Sequence, residues 1–172
     1  ADIDRDGRLD AVLATGDGRL SWAAQPAAKD GVWIVHNIGS FAPDSMTGFV
    51  LGDIDGDGDL DVMAGSYSRG PRLEDGSDVG PGDPLGRIGW FQNPGPGTGE
   101  WTRHDILRRK RGMYDSFAAL DLDGDGDLDF AGTRGNSGEY DGVFRLEQKT
   151  SAAPVRRLIP ARETDSQAMP LP

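Results

Sequence analysis

Three short acidic loops contain the side chains of this sequence that are best suited to chemistry. Each has aspartate at its first, third, fifth and ninth positions and glycine at its sixth: the first (Asp2–Asp10), second (Asp53–Asp61) and third (Asp121–Asp129) acidic loops. Calcium is a hard cation that takes six to eight oxygen ligands at about 2.3–2.6 Å. Carboxylates at this spacing in a tight turn can converge on one point, so the pattern predicts one calcium site in each loop.

The expected ligands in each loop are the four carboxylates and the backbone carbonyl of the seventh residue. They are Asp2, Asp4, Asp6 and Asp10 with the carbonyl of Arg8; Asp53, Asp55, Asp57 and Asp61 with that of Asp59; and Asp121, Asp123, Asp125 and Asp129 with that of Asp127. The first loop has Arg5 where the others have glycine, so we expect it to be the weakest. Because one loop supplies each ligand set, about three structural calcium ions are expected, and magnesium, which retains waters, is disfavoured.

Two alternatives to these calcium sites can be compared with the sequence. An EF-hand needs glutamate at position 12 and flanking helices, whereas position 12 here is Leu13, Ala64 or Gly132, each inside a predicted strand. A dockerin-type pair fails for the same reason. The other alternative is a solvated acidic turn without metal, in which four carboxylates would repel one another strongly.

The acidic loops belong to an internal repeat with offsets of 51 and 68 residues. Short apolar stretches separated by turn residues follow each loop, and no segment shows a 3.6-residue apolar period. Each repeat reads as four short strands, A to D, with the acidic loop joining A to B. Such units predict an all-β fold of four-stranded antiparallel β-propeller blades. The expected divisions are a partial blade lacking its A strand at 1–39, complete blades at 40–107 and 108–160, and a carboxyl-terminal tail at 161–172.

The repeat resembles the FG-GAP/VCBS family, whose blades are similar to those of the integrin α-subunit propeller. The resemblance rests on the D-x-D-G-D-G-D-L-D loops, on F-V-L-G-D at Phe49–Asp53 and on W-F-Q-N-P-G at Trp90–Gly95. It implies a propeller of about seven blades, whereas about three are present here and known rings use 4–8. We therefore expect the chain to be part of a larger propeller or to complete a ring with other chains. Because it begins with Ala rather than Met, a processed or trimmed amino end is expected.

The charge distribution limits the partners. The acidic loops hold 14 of the 29 acidic residues, and the other 15 face 18 Lys and Arg, so the net charge of −11 is local to the loops. Nucleic acid is not expected as a partner, since phosphates need a basic face. No apolar run approaches the roughly 20 residues of a membrane span. A secreted or cell-surface location is expected, because weak calcium loops (roughly 10⁻⁴–10⁻³ M) fill only where calcium is plentiful.

A second surface is expected on the face opposite the acidic loops. Alternation of antiparallel strands places there the long B–C loop at 66–87, the basic connection Arg108–Asp115 and the B–C loop at 133–142. Aromatic planes, Arg, Asn and carboxylates suit recognition of sugars or acidic polysaccharides, and long loops on rigid scaffolds often carry function. The residues expected on this face are Arg69, Arg72, Arg111, Tyr114, Asp115, Arg134, Asn136, Glu139 and Tyr140.

Three functions remain open on the sequence alone. The leading hypothesis is a calcium-binding extracellular module that recognises carbohydrate or another protein chain. One alternative is a sugar-acting enzyme, of the lyase or dehydratase type found in propellers similar to this family, with Tyr114, Asp115, Arg134, Glu139 and Tyr140 as catalytic candidates. The other alternative is a structural assembly or adhesion propeller. His36 and His104 occupy equivalent places in W-x-x-H-x-I and are expected to be architectural.

Overall fold

The chain folds entirely into β-strands and turns over the residues that the structure describes. A computed structural model describes residues 1–15, 17–67, 86–97, 99–109, 112–135, 141–149 and 155–159, and within these ranges it contains no helix, hence none able to cross a membrane. The prediction of an all-β fold is confirmed. The strands are β1 (Ala11–Ala14), β2 (Arg19–Ala24), β3 (Ile34–Ser40), β4 (Ser45–Gly52), β5 (Asp61–Tyr67), β6 (Gly86–Gln92), β7 (Thr102–Arg109), β8 (Met113–Leu120), β9 (Asp129–Gly135), β10 (Gly142–Lys149) and β11 (Val155–Ile159).

The strands pair in antiparallel order within each repeat. β1, β2 and β3 form the first blade, β4 to β7 the second, and β8 to β11 the third. The second and third blades also meet where β5 pairs with β8 at Tyr67 and Met113. Four-stranded antiparallel blades were expected for the last two repeats, and the structure confirms them. The second acidic loop connects β4 to β5, the third connects β8 to β9, and the first directly precedes β1.

Two apolar clusters hold neighbouring blades together, and each contains residues from both blades that it joins. Because the second blade is covered on both sides, β5 and β6 are buried along nearly their whole length, whereas β1 is half-buried or exposed. Burial of apolar surface, at about 25 cal/mol per Å², therefore joins blade to blade. The first cluster includes Ile3, Leu20, Trp22, Ile38, Met46, Val62 and Phe91; the second includes Ile54, Met63, Ile88, Trp90, Tyr114, Phe130 and Leu146.

The two histidines occupy equivalent architectural positions. His36 on β3 lies opposite Trp22 on β2, and His104 on β7 lies opposite Trp90 on β6. In both pairs the rings stack with centroids 4.4 Å apart. His104 also shares a hydrogen bond of 3.1 Å with the side-chain oxygen of Gln92. These cross-strand pairs brace the outer strand of each blade against the buried tryptophan, which is the role expected from the repeat.

A close backbone approach fixes the second blade against the third. A Cβ added at Gly48 on β4 would lie 1.8 Å from the backbone carbonyl oxygen of Asp115 on β8. Beside it, the Thr47 hydroxyl donates to the carbonyl of Tyr114 at 2.8 Å. Only glycine permits this approach, because any Cβ would require one backbone to move away from the other.

Gly48→Ala is expected to destabilise the protein at the upper end of the about 1–3 kcal/mol range for overpacking, since the obstructing atom is backbone and not a flexible side chain. Chemical denaturation measures the free energy of unfolding. Ser116→Ala, an exposed change of similar size on β8, is the control and should leave stability nearly unchanged. Equal stability of both variants and the parent would contradict the close approach.

Candidate metal centres

The three acidic loops share one backbone conformation. Their fourth and sixth residues all have positive φ: 77° and 89° at Gly56 and Gly58, 83° and 92° at Gly124 and Gly126, and 60° and 86° at Arg5 and Gly7. The left-handed region costs a non-glycine residue roughly 1–2 kcal/mol. Arg5 therefore adopts the same turn as the glycines of the other loops, although its residue type disfavours it.

The aspartate at the first position closes each turn through backbone amides. In the second loop, the Asp53 carboxylate accepts hydrogen bonds from the amides of Gly56 and Gly58 at 2.9 and 3.0 Å. Asp121 accepts from Gly124 and Gly126 at 2.6 and 3.0 Å in the third loop. In the first loop, Asp2 accepts from Asp6 and Gly7 at 3.1 and 3.0 Å. The turn is thus shaped by its own first side chain.

Three carboxylates converge in each loop. Their oxygens lie within 4.8 Å of one another, and two oxygens bound to one calcium ion at about 2.4 Å can be no farther apart than about 4.8 Å. The oxygen-only donor set therefore fits a single hard cation. The converging groups are Asp2, Asp4 and Asp6; Asp53, Asp55 and Asp57; and Asp121, Asp123 and Asp129. Asp10, Asp61 and Asp125 lie outside these groups, so the structure brings together most but not all of the expected ligands.

The aspartate at the ninth position has a second, architectural role that sequence reasoning missed. Asp10, Asp61 and Asp129 are buried, with exposed fractions of 8%, 0% and 1%. In each of them, one carboxylate oxygen accepts a hydrogen bond from the backbone amide of the second loop residue. The other oxygen accepts one from a backbone amide at the end of the C strand. The donors are Ile3 and Gln25 at 2.8 and 2.9 Å, Ile54 and Asn93 at 2.9 and 2.8 Å, and Leu122 and Gln148 at 3.0 and 2.8 Å.

Side-chain amides link the first and second acidic loops to the next blade. Asn93 donates from Nδ2 to the carbonyl of Ile3 at 3.3 Å and to that of Leu60 at 3.2 Å. Gln148 donates from Nε2 to the carbonyl of Ile54 at 2.8 Å. The same chain position therefore supplies a backbone donor to its own blade's aspartate and a side-chain donor to the preceding blade's loop. The signal in the sequence is an amide residue at or just after the end of each C strand, which local patterning alone does not mark as important.

The seventh residues differ between the loops. The Arg8 guanidinium pairs with the Asp6 carboxylate, and its Nε donates to the carbonyl of Gln25 at 2.8 Å. Asp59 is buried at 6% exposure, and its Oδ1 lies 2.7 Å from Nε of Arg5 in the first loop. The first loop thus already contains a cation against one of its expected ligands, Asp6.

Burial raises the pKa of Asp61 to about 7, from 3.8. The amides of Asn93 and Ile54 favour the ionised form and oppose this shift, whereas the neighbouring charges of Asp55 and Asp57 add to it. A buried carboxylate beside two others is expected to behave in this way without a cation.

The opposite face is only partly described. Tyr114 is 1% exposed, and its ring meets Phe144 edge-on at 5.6 Å, which makes it a core residue. Its strand partner across β8 and β9 is Arg134. Burial raises the pKa of the neighbouring Asp115 above its ordinary value. The structure therefore places Tyr114, Asp115 and Arg134 together. The remaining candidates lie outside the described residues: Arg69, Arg72, Arg111, Asn136, Glu139 and Tyr140.

Comparison with known proteins identifies a repeat family for part of the chain. Residues 2–64 match the family model described as FG-GAP-like repeat. This segment contains the first and second acidic loops and strands β1 to β5. No curated protein and no solved structure matches the chain significantly.

Removing the two kinds of aspartate from the third loop should have different effects in metal-free protein. Asp129→Ala strands two amides, one of them buried, and is expected to cost about 2–4 kcal/mol. Asp123→Ala removes an exposed carboxylate that accepts one hydrogen bond of 3.2 Å, and should change stability by less than about 0.5 kcal/mol. Urea denaturation in chelator measures both. Equal losses would show that the ninth aspartate has no separate architectural role.

The Asp61 pKa gives a pH dependence with a defined sign. Between about pH 4 and 7 the folded protein retains a proton on Asp61 that the unfolded chain has released. Because the folded state binds more protons in this window, stability of the metal-free protein should fall as pH rises through it. Melting temperatures of metal-free parent and Asp61→Asn across this range test this, and the variant should show a shallower fall. Parallel curves would refute the assignment to Asp61.

Proposed function

We propose that this chain, whose residues 2–64 match the FG-GAP-like repeat model and which is built of propeller-like blades, is a calcium-stabilised module that binds carbohydrate or protein outside the cell. The observation that carries the proposal is the threefold convergence of carboxylates in loops of one backbone conformation. Three acids that converge within one turn repel one another, and a divalent cation would remove that repulsion. Calcium fits better than magnesium, because the loops offer many oxygens from the protein itself.

The proposed calcium ions stabilise the blades and take no part in chemistry. Each loop is fastened through its ninth aspartate to its own C strand and, in the first and second loops, through a side-chain amide to the next blade. A cation that holds the loop in this conformation would therefore strengthen both the hairpin and the junction between blades. By linkage, each site filled at a hundredfold excess over its dissociation constant adds about 2.7 kcal/mol to stability.

The proposed location follows from the expected affinity of such sites. Calcium sites of extracellular modules bind at roughly 10⁻⁴–10⁻³ M and fill only where calcium is abundant. The FG-GAP-like repeat is consistent with this setting. A secreted or cell-surface protein would keep all three loops loaded without needing high affinity.

The proposed ligand face is opposite the calcium loops. The connection between β5 and β6 begins after Tyr67 and ends before Gly86, which makes it the longest link between neighbouring strands. Connections of this length are uncommon in compact folds and are usually either functional or linker segments. Asp115, at the start of β8, and Arg134, at the end of β9, lie on the same face. Guanidinium and carboxylate groups suit hydroxyl-rich or charged saccharides, which supports carbohydrate before other ligands.

Further blades are the proposed partners of the first blade. Leucine at the eighth loop position packs against the neighbouring blade in two repeats: Leu60 against the first cluster and Leu128 against the second. The equivalent Leu9 is 68% exposed, and Leu13 and Trp33 on the same blade are 46% and 44% exposed. An apolar face with these equivalents fits another blade of the same kind, as in a larger propeller.

The enzymatic alternative rests on one observation, the raised pKa of Asp115 on the ligand face. A carboxylic acid with a raised pKa can act as a general acid or base near neutral pH. The binding assay described below includes a product analysis that distinguishes this alternative from simple binding.

Calcium removal tests the metal. The melting temperature in millimolar calcium should exceed that in chelator by several degrees, because each filled site adds stability by mass action. Asp123→Asn should reduce this difference by about one site's share, whereas Asp30→Asn, which removes an exposed charge outside the loops, should leave it intact. Identical melting temperatures with and without calcium would refute the proposal that the acidic loops bind calcium.

The ligand is then sought with a glycan panel in calcium, with products analysed by mass spectrometry. Retention of intact glycan supports a binding module, and shortened or unsaturated products support the enzymatic alternative. Retention should weaken in Arg134→Ala but not in Lys29→Ala, which removes an exposed positive charge from the connection between β2 and β3, on the side of the acidic loops. Equal retention by both variants would place the ligand elsewhere.

A further inference from the structure

A single arginine joins the first acidic loop to the second. Arg5 stands at the fourth position of the first loop, where the second and third loops have Gly56 and Gly124. Its Nε lies 2.7 Å from Oδ1 of Asp59 in the second loop, with the arginine side chain 46% exposed and the carboxylate side chain 8% exposed. The ion pair therefore crosses from the first blade to the second.

The arginine also lies directly against the backbone of the second loop. A Cβ added at Gly58 would stand 2.9 Å from Nη2 of Arg5. The amide of Asp59 donates to the Asp57 carboxylate at 2.8 Å, and Asp57 belongs to the converging acidic group of that loop. The positive charge of Arg5 is thus one residue away from carboxylates that would bind a cation.

The position of Arg5 is unusual in conformation as well as in charge. Its φ of 60° lies in the left-handed region, which disfavours every residue with a Cβ other than Asn or Asp. The two loops are already held together by Asn93, which donates to the carbonyls of Ile3 and Leu60. Arg5 therefore adds a charge interaction to a junction that has its own hydrogen bonds.

We propose that Arg5 is an internal counter-ion of the second acidic loop: it clamps the first blade to the second when no metal is bound, and it lowers the calcium affinity of the second loop. This inference rests on the proposed function for the identity of the metal. Gly56 stands at the equivalent position of the second loop, so no arginine extends from there to the third loop.

The clamp has two consequences of opposite sign. In metal-free protein the guanidinium reduces repulsion among the acids of the second loop, so its removal should destabilise the junction. In calcium-bound protein the same positive charge opposes the cation, so its removal should strengthen binding. At a separation of several ångströms near the surface, a unit charge changes the affinity for a divalent ion by about three- to tenfold.

The test compares Arg5→Met, Asp59→Asn and the double variant with the parent chain. Methionine retains Cβ, so the left-handed backbone is equally disfavoured and only the charge is lost. Arg19→Met is the matched control, because Arg19 forms an exposed ion pair with Asp17 at 3.3 Å away from the loops. Calcium titration followed by NMR, with the amides of Gly56 and Gly126 reporting the second and third loops separately, measures affinity. Melting in chelator measures the clamp.

Arg5→Met should lower the melting temperature in chelator and tighten calcium binding at Gly56 by about three- to tenfold, with Gly126 unchanged. Asp59→Asn should also lower that melt but weaken binding at Gly56, because it leaves the arginine without its partner. A merely structural pair would shift both affinities in the same direction or not at all, and that result overturns the inference while the proposed function stands. Absence of calcium binding in the parent overturns both.

Discussion

The buried carboxylate at the ninth position of each acidic loop is the interaction on which the rest of the structure depends. Asp61, fully buried, receives one amide from its own loop and one from the end of the C strand. A carboxylate that accepts hydrogen bonds from two amides holds two chain segments in one geometry, since both oxygens are directional acceptors. One side chain thereby fixes the loop, the A–B hairpin and the third strand together. Asp10 and Asp129 repeat the arrangement, which explains why all three loops have one backbone conformation despite the arginine in the first.

Charge balance is the constraint that this arrangement creates. Burying Asp61 next to Asp55 and Asp57 raises its pKa, so the metal-free loop is under electrostatic tension that a cation would relieve. The protein relieves part of it with its own residues: Arg8 pairs with Asp6, and Arg5 pairs with Asp59. The third loop has glycine and aspartate at the positions corresponding to Arg5 and Arg8 of the first, namely Gly124 and Asp127. The loops are therefore chemically graded, and the number of ligands in the motif alone does not rank them.

Much of the fold could be predicted from local pattern, because a blade is made of short-range hairpins. The predicted stretch Leu20–Ala23 became β2, and the acidic loops lie between the expected strands. Prediction failed where a contact crosses between blades. Arg5 was interpreted only as a replacement of glycine that weakens the first loop, because its partner Asp59 belongs to the next repeat. The ninth aspartate was predicted as a ligand, but its hydrogen bonds to the end of the C strand within the same blade were not predicted, because that strand follows a connection of different length in each repeat. Tyr114 read as a ligand-face residue, although the docking of the third blade buries it.

The middle strands of a blade run from the acidic loop at one end to the opposite face at the other. β5 begins at Asp61, the last residue of the second acidic loop, and ends at Tyr67, which pairs with Met113 beside Tyr114 and Asp115. Six of its seven residues are buried between the blades on either side, so it cannot shift without disturbing both clusters. If the acidic loops bind calcium as proposed, loss of the metal would reach the opposite face as a loosening of blade against blade and not as a movement of one loop. A ligand held between the second and third blades would then depend on calcium without contacting the acidic loops.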